Sequence, residues 1–305
     1  MDINHALQSG IIICDGAMGT ELQRRGLGKG VTPDSWNITN PEQVKSVHNA
    51  YIQAGAVAIL TNTFGSNAIR LKNTRLDAMD KEQNIVKQLN RAGAKIAREC
   101  AGENFVFGDI GPTGCEDQLP PYGNMQEAEF YEAFKDQSVA LAEGGVDAII
   151  IETMSSLAEA IIAVRAAKQN TQLPIICSMS FSRPPSSRPD DFRTSWGDSV
   201  EDFISSVTQA GAEIVGSNCG DLVEEMPLLA KKMREITHLP LIFEINAGRP
   251  RVDDNYRSIY SLDPQSLANI AARLADSGAN IIGGCCGTTP EHISAIKEKI
   301  IEIIP

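Results

Sequence analysis

Two adjacent cysteines stand between glycines in Ile281-Ile282-Gly283-Gly284-Cys285-Cys286-Gly287-Thr288-Thr289-Pro290, directly after an apolar run. Neighbouring residues on a regular strand point to opposite faces, so two such thiols can aim at one point only where the backbone leaves strand geometry. The flanking glycines permit that departure. A third cysteine, Cys219, closes Ile214-Val215-Gly216-Ser217-Asn218-Cys219-Gly220, again after an apolar run and before a glycine. A lone cysteine in such a place reads as core. A vicinal pair with a third at an equivalent strand end reads as a ligand set. Three thiolates from two strand ends make an open tetrahedral zinc site, one ion per chain, whose fourth position is left for a substrate. Of the histidines, His5, His48, His238 and His292, none stands beside another candidate ligand, so the site is read as sulfur-only. Cys219, Cys285 and Cys286 are thus both the metal ligands and the catalytic residues.

Other polar residues close apolar runs in the same way: Asp15, Asn62 with Thr63, Asp109, Glu152 with Thr153, and Asn246. A carboxylate after Ile149-Ile150-Ile151 is costly to bury unless it is paired, which singles out Glu152. Asp15 and Glu152 suit a substrate ammonium group, and the Gly16 and Ala17 amides suit its carboxylate. The thiolate, not the thiol, is the nucleophile, and a free aliphatic thiol is mostly protonated at neutral pH. Binding to a three-thiolate zinc displaces the proton and leaves the substrate sulfur electron-rich.

The elements that must position these groups recur along the chain. Eight apolar runs, Ile11–Cys14, Val57–Thr61, Phe105–Gly108, Ala148–Ile151, Pro174–Met179, Ile214–Gly216, Pro240–Glu244 and Asn280–Gly283, read as strands. Between them the spacing predicts helices over Pro41–Gly55, Asp80–Cys100, Gln126–Gly144, Ser156–Lys168, Ser199–Gly211, Leu222–Ile236 and Pro264–Gly278, with Pro290–Ile303 last and Thr289 as its cap. Eight strands alternating with eight helices over residues 1–305 read as one α/β domain, a (β/α)8 TIM barrel. An open doubly wound sheet would want a glycine-rich phosphate fingerprint after the first strand, and Asp15-Gly16-Ala17-Met18-Gly19-Thr20 does not supply one. Two connections, Glu21–Asn40 and Ser182–Asp198, are longer than needed and stand on the catalytic face, as lids or as plain surface loops.

The run Asp15-Gly16-Ala17-Met18-Gly19-Thr20-Glu21, Thr61-Asn62-Thr63-Phe64-Gly65, Gly108-Asp109-Ile110-Gly111-Pro112, Glu152-Thr153, Asn218-Cys219, Asn246-Ala247-Gly248 and the Gly-Gly-Cys-Cys-Gly segment together resemble the zinc-dependent, homocysteine-binding homocysteine S-methyltransferase family. That family includes betaine– and S-methylmethionine–homocysteine methyltransferases, and the homocysteine module of cobalamin-dependent methionine synthase, which the motifs resemble most. The resemblance implies methyl transfer to the homocysteine thiol to give methionine, with Asp15, Gly16 and Glu152 at the amino-acid end. It also implies Asn246 as an oxygen ligand filling the zinc's fourth position before substrate arrives. The folate and cobalamin modules are not in these 305 residues, so the resemblance implies a methylated corrinoid, such as methylcobalamin, on a separate protein. The alternative is a small onium donor, S-methylmethionine or betaine, for which only Trp36 and Trp196 offer cation-binding aromatic faces. Another thiol acceptor also stays open.

Bulk composition excludes other classes. A net charge of −12 argues against nucleic acid and anionic membrane surfaces. No apolar run approaches the roughly twenty residues that span a bilayer. Seven cysteines without small-domain spacing suit a reducing cytoplasm. A zinc-storage protein would not need Asp15 and Glu152, and a Schiff-base lyase would need a lysine at a strand end, where there is none. Cys14, Cys115 and Cys177 read as bystanders or core.

Overall fold

A computed structural model describes residues 3–72, 74, 84–185, 187–249, 251–252 and 258–303. Eight parallel strands form its centre: β1 (Ile12–Ile13), β2 (Ala58–Leu60), β3 (Phe105–Ile110), β4 (Ala148–Met154), β5 (Ile175–Met179), β6 (Ile214–Asn218), β7 (Leu241–Ile245) and β8 (Ile281–Gly284). They hydrogen-bond in the order β1-β8-β7-β6-β5-β4-β3-β2. A single parallel bridge, Cys14 to Ala58, joins the first strand to the second and closes the ring. This is the expected (β/α)8 barrel.

The ring follows from a period of two along each strand. Ile149 and Ile151 pack outward on the helices, whereas Ile150 packs inside the barrel with Phe105, Phe107, Ile176, Ile214 and Ile242. Because both faces are covered, the strands are apolar almost throughout. Outside, α1 (Pro41–Ala54), α2 (Ile85–Ala101), α3 (Glu127–Glu143), α4 (Leu157–Asn170), α5 (Val200–Ala210), α6 (Met226–Ile236), α7 (Pro264–Asp276) and α8 (Pro290–Ile303) alternate with the strands. α1 buries Val44, Val47, His48 and Tyr51 at three- and four-residue spacing. It ends on Gly55 at φ 104°, a left-handed residue that stops the helix and admits the next strand.

Several boundaries differ from the sequence reading. α2 begins at Ile85, and residues 80–83 of the expected Asp80–Cys100 helix lie outside the described residues. β3 and β4 run on past Gly108 and Ile151, so Asp109 and Glu152 lie within strands instead of beyond them. The Glu21–Asn40 connection holds a helix, Met18–Arg24, and a turn with a short helix over Pro33–Thr39. An unexpected helix, Ile3–Ser9, packs Ile3 into the interior cluster, where it meets Ile12, at the end of the barrel away from the cysteines. A short antiparallel ribbon, Arg251–Val252 with Ser258–Ile259, follows β7. At the start of α8 the Thr289 amide donates to His292 Nδ1 at 3.2 Å, the Thr289 hydroxyl lies 2.9 Å from the same nitrogen, and the other ring nitrogen lies 2.9 Å from the Leu262 carbonyl.

Candidate metal and substrate site

The inward positions of the strands change from apolar to polar in their last layer. Phe107 is followed two residues on by Asp109, Ile150 by Glu152, Gly216 by Asn218, and Ile242 by Glu244. The period that fills the barrel with isoleucine and phenylalanine therefore aims three carboxyl groups and an amide into its carboxyl-terminal mouth. All four residues are buried. Above them lies a cavity of about 650 Å³, walled by Asp15–Thr20, Leu60–Gly65, Asp109, Glu152, Cys219, Glu244, Tyr260, Gly284–Cys286 and, to one side, Thr32–Asp34 and Arg70.

Cys219, Cys285 and Cys286 meet at this mouth, their sulfurs all within 4.8 Å of one another. Cys219 Sγ stands 4.0 Å from Cys286 Sγ. Three thiolates bound tetrahedrally at about 2.3 Å stand roughly 3.8 Å apart, so the donor set and its spacing fit zinc. The backbone turns them together. Cys219 holds φ 59°, left-handed for a non-glycine residue, and so is rotated off the alternation of β6. Gly287, left-handed at φ 83°, turns the chain after the two cysteines, and Gly284 at the end of β8 leaves room for Thr288, whose Oγ1 would lie 2.4 Å from a Cβ there. That hydroxyl donates to the Cys285 carbonyl at 2.7 Å and tightens the loop. Hydrogen bonds from Cys285 and Cys286 hold the Cys219 thiol below its ordinary range, and the bond to Cys219 pushes Cys285 up.

Asp15 and Glu152 both line the cavity. Asp15 Oδ2 accepts from the Leu60 amide at 3.1 Å. Glu152 Oε2 accepts from Asn218 Nδ2 at 2.5 Å. Burial raises both carboxyl groups, Glu152 to about 7, with the Cys219 charge adding to it and hydrogen bonds from Asp109 and Asn218 opposing it. A cation bound beside these carboxyl groups would favour their anionic form. Asn218 is the link between halves of the site: its amide holds Glu152, its Oδ1 accepts from the Thr153 amide at 2.9 Å, and the next residue is Cys219.

Other expected contacts are differently engaged. The Ala17 amide donates to Thr288 Oγ1 at 3.0 Å, so it is held inside the turn and not presented to a substrate. Gly16 lines the cavity, where a Cβ would meet Thr288 Oγ1 at 2.6 Å. Asn62 and Thr63 also line the cavity, but their side chains tie loops together. Asn62 Nδ2 donates to Pro33 O and Asn37 Oδ1, and Thr63 Oγ1 donates to the Asp109 carbonyl. Asn246 is buried beside the thiols, with Nδ2 3.8 Å from Cys219 Sγ and bonded to the Gly220 carbonyl at 2.9 Å. Its Oδ1 is buried and has no hydrogen-bond partner.

Three groups at the mouth were not assigned from the sequence. Glu244 and Asn218 were legible in principle as the last inward residues of their strands. Tyr260 comes from the segment after the ribbon, and its ring packs so closely on Gly287 that a Cβ there would fall 2.1 Å from the ring. The tryptophans stand elsewhere. Trp36 is buried in the outer core, and Trp196 packs on Tyr122 with ring centroids 5.0 Å apart and the rings tilted by 48°. Cys14 and Cys177 are fully buried in strand walls, as expected of bystanders. Of the two long connections, Glu21–Asn40 contributes Gln23 and Thr32–Asp34 to the cavity; no described residue of Ser182–Asp198 lines it.

Residues 12–300 match the pattern of the homocysteine S-methyltransferase family. The chain belongs to that family. It is 28% identical over 321 aligned positions to the methionine synthase of Mycobacterium tuberculosis, covering 99% of this chain and 26% of that protein. The methionine synthase of Mycobacterium leprae is 27% identical over 318 positions, again covering 98% of this chain and 25% of the relative. The chain therefore spans about a quarter of the length of these relatives. The same fold is found in the metallated homocysteine methyltransferase MmuM of Escherichia coli, at 24% identity, a TM-score of 0.76, and coverage of 95% and 96% of the two chains.

Proposed function

We propose that this family member carries out zinc-dependent methylation of homocysteine to methionine, as a single catalytic barrel spanning residues 1–305. The observation that carries the reading is the convergence of three cysteine sulfurs and two cavity-facing carboxyl groups at one barrel mouth. Zinc on Cys219, Cys285 and Cys286 would supply a fourth position for the substrate sulfur and keep it a thiolate at neutral pH. Asp15 and Glu152 receive the ammonium group, which neutralises their buried charge and orients the thiol toward the three cysteines. Gly16 borders the carboxylate end. The unpartnered Oδ1 of Asn246 supports a role for this residue as the oxygen ligand that would fill the fourth position until substrate displaces it.

For the donor we favour a methylated corrinoid carried by a separate protein. An onium must be enclosed by aromatic faces. Among the described residues the cavity wall has no tryptophan, and its aromatic residues are Phe64 and Tyr260. The Arg70 guanidinium already lies over the Phe64 ring, 5.2 Å from its centroid. The cytoplasm suits a site whose thiols must stay reduced, and no described helix is long and apolar enough to cross a membrane.

The test is direct. The protein should bind one zinc per chain and form methionine from homocysteine and a methyl donor. Cys219→Ala, Cys285→Ala and Cys286→Ala should each lose zinc and methionine formation together. Full zinc retention in any two of these variants would overturn the three-thiolate site.

A further inference from the structure

The geometry points to Asp109 as a positioning residue that donates a hydrogen bond from its carboxyl group to Glu152 and so holds the Glu152 carboxylate toward the substrate's ammonium group. This rests on the reading of Glu152 as the ammonium acceptor, and it assigns the proton between two buried carboxyl groups. Asp109 and Glu152 are inward residues of adjacent strands, Asp109 registering with Ile150, two residues before Glu152. Their side chains are within hydrogen-bonding reach of each other. Both are buried and both line the cavity. Two carboxylates that close cannot both stay ionised, so one proton lies between them.

The surroundings decide which group keeps it. Glu152 Oε2 accepts from the Asn218 amide at 2.5 Å, which stabilises an anion there. Asp109 Oδ1 is buried and receives no N–H or O–H donor, so an anion on Asp109 would leave that oxygen unpaired. Burial and the nearby Glu152 and Glu244 push the Asp109 carboxyl well above the usual range, in the same sense. The main chain of Asp109 cannot turn away. Its amide donates to Thr61 Oγ1 at 2.9 Å, and its carbonyl accepts from Thr63 Oγ1 at 2.7 Å. A neutral acid pinned in this way leaves Glu152 as the anion, held on one side by Asn218 and on the other by Asp109.

The experiment measures binding to the zinc-loaded protein of two probes, homocysteine and its des-amino analogue, which keeps the thiol and carboxylate but has no ammonium group. Asp109→Ala should bind homocysteine about tenfold more weakly, bind the des-amino thiol as the unmodified protein does, and retain its zinc. Asp109→Asn presents an amide donor to Glu152 in the same place, and should stay within about threefold of the unmodified protein for both probes. Equal weakening of both probes in Asp109→Ala, or unchanged homocysteine binding, overturns the proposal. So does Asp109→Asn binding as weakly as Asp109→Ala, a result that does not depend on the alanine variant alone. If Glu152→Gln itself leaves homocysteine affinity unchanged, it is the reading of Glu152 that fails.

Discussion

Glu152 joins the two tasks of the site, because the Asn218 amide that holds its carboxylate sits one residue before a metal-ligand candidate. Removing charge at Glu152 or Asp15 should therefore weaken the substrate without releasing metal. A charge-assisted hydrogen bond contributes about 1.5–3 kcal/mol, so Glu152→Gln and Asp15→Asn should each bind homocysteine at least roughly tenfold more weakly. Calorimetric titration of zinc-loaded variants gives the affinity, and metal analysis of the same samples should still find one zinc per chain. Unchanged affinity in both variants would refute the assignment. At this scale the sequence was informative about residue type. It was less so about engagement: Asn62, Thr63 and Ala17 sit at the mouth as read, yet their polar groups are bonded to neighbouring loops. Which hydrogen bond a polar group makes depends on residues tens to hundreds of positions away. The Ala17 partner is Thr288.

Among the elements, α1 carries a polar group inside the wall between barrel and helices. His48 is fully buried, and neither ring nitrogen has a hydrogen-bond partner. Burial lowers its pKa to about 4 from 6.5. Between those values the unfolded chain binds the proton and the folded chain does not, so stability falls as pH drops through that window and levels off below it. The loss attributable to His48 is about 3 kcal/mol at most. His48→Leu should remove it. Urea unfolding at pH 7 and pH 4.5 should show a smaller loss of stability on acidification for the variant than for the unmodified protein; equal losses would sink this account. Periodicity exposed the face of α1 on which His48 lies. It did not reveal the turn in β4, where Thr153 at φ 57° interrupts the ladder between Ile151 and Met154.

For the whole molecule the open question is the donor, and the cavity argues from its walls. At about 650 Å³ it is well beyond the size of one small amino acid, and it extends toward Asp34 and Arg70. With Trp36 in the core and Trp196 packed on Tyr122, neither tryptophan lines it. Methylcobalamin, free or on a carrier protein, should lose its methyl group to homocysteine on the zinc-loaded barrel, and betaine should be a poor donor. The absorbance of methylcobalamin and the appearance of methionine report the two reactions side by side. Rapid betaine turnover with no change in that absorbance would reverse the order of donors and leave the zinc–thiolate chemistry standing.

The eightfold alternation, the barrel and the three cysteines were determined by the sequence itself, because each rests on short-range pattern: apolar period, glycine placement and residue type. The strand-end polar layer was also partly legible, since the inward period of two carries Asp109, Glu152 and Glu244 to one face. Only the closed ring decided the rest. The Cys14–Ala58 bridge brings β1 beside β2, and with it Asp15 beside Leu60, while β8 delivers Cys285 and Cys286 to Cys219. Proton placement between Asp109 and Glu152 depends on donors from yet another strand, Asn218 on β6. Such contacts have no signature along the chain, because they are distances between elements set by barrel closure and packing.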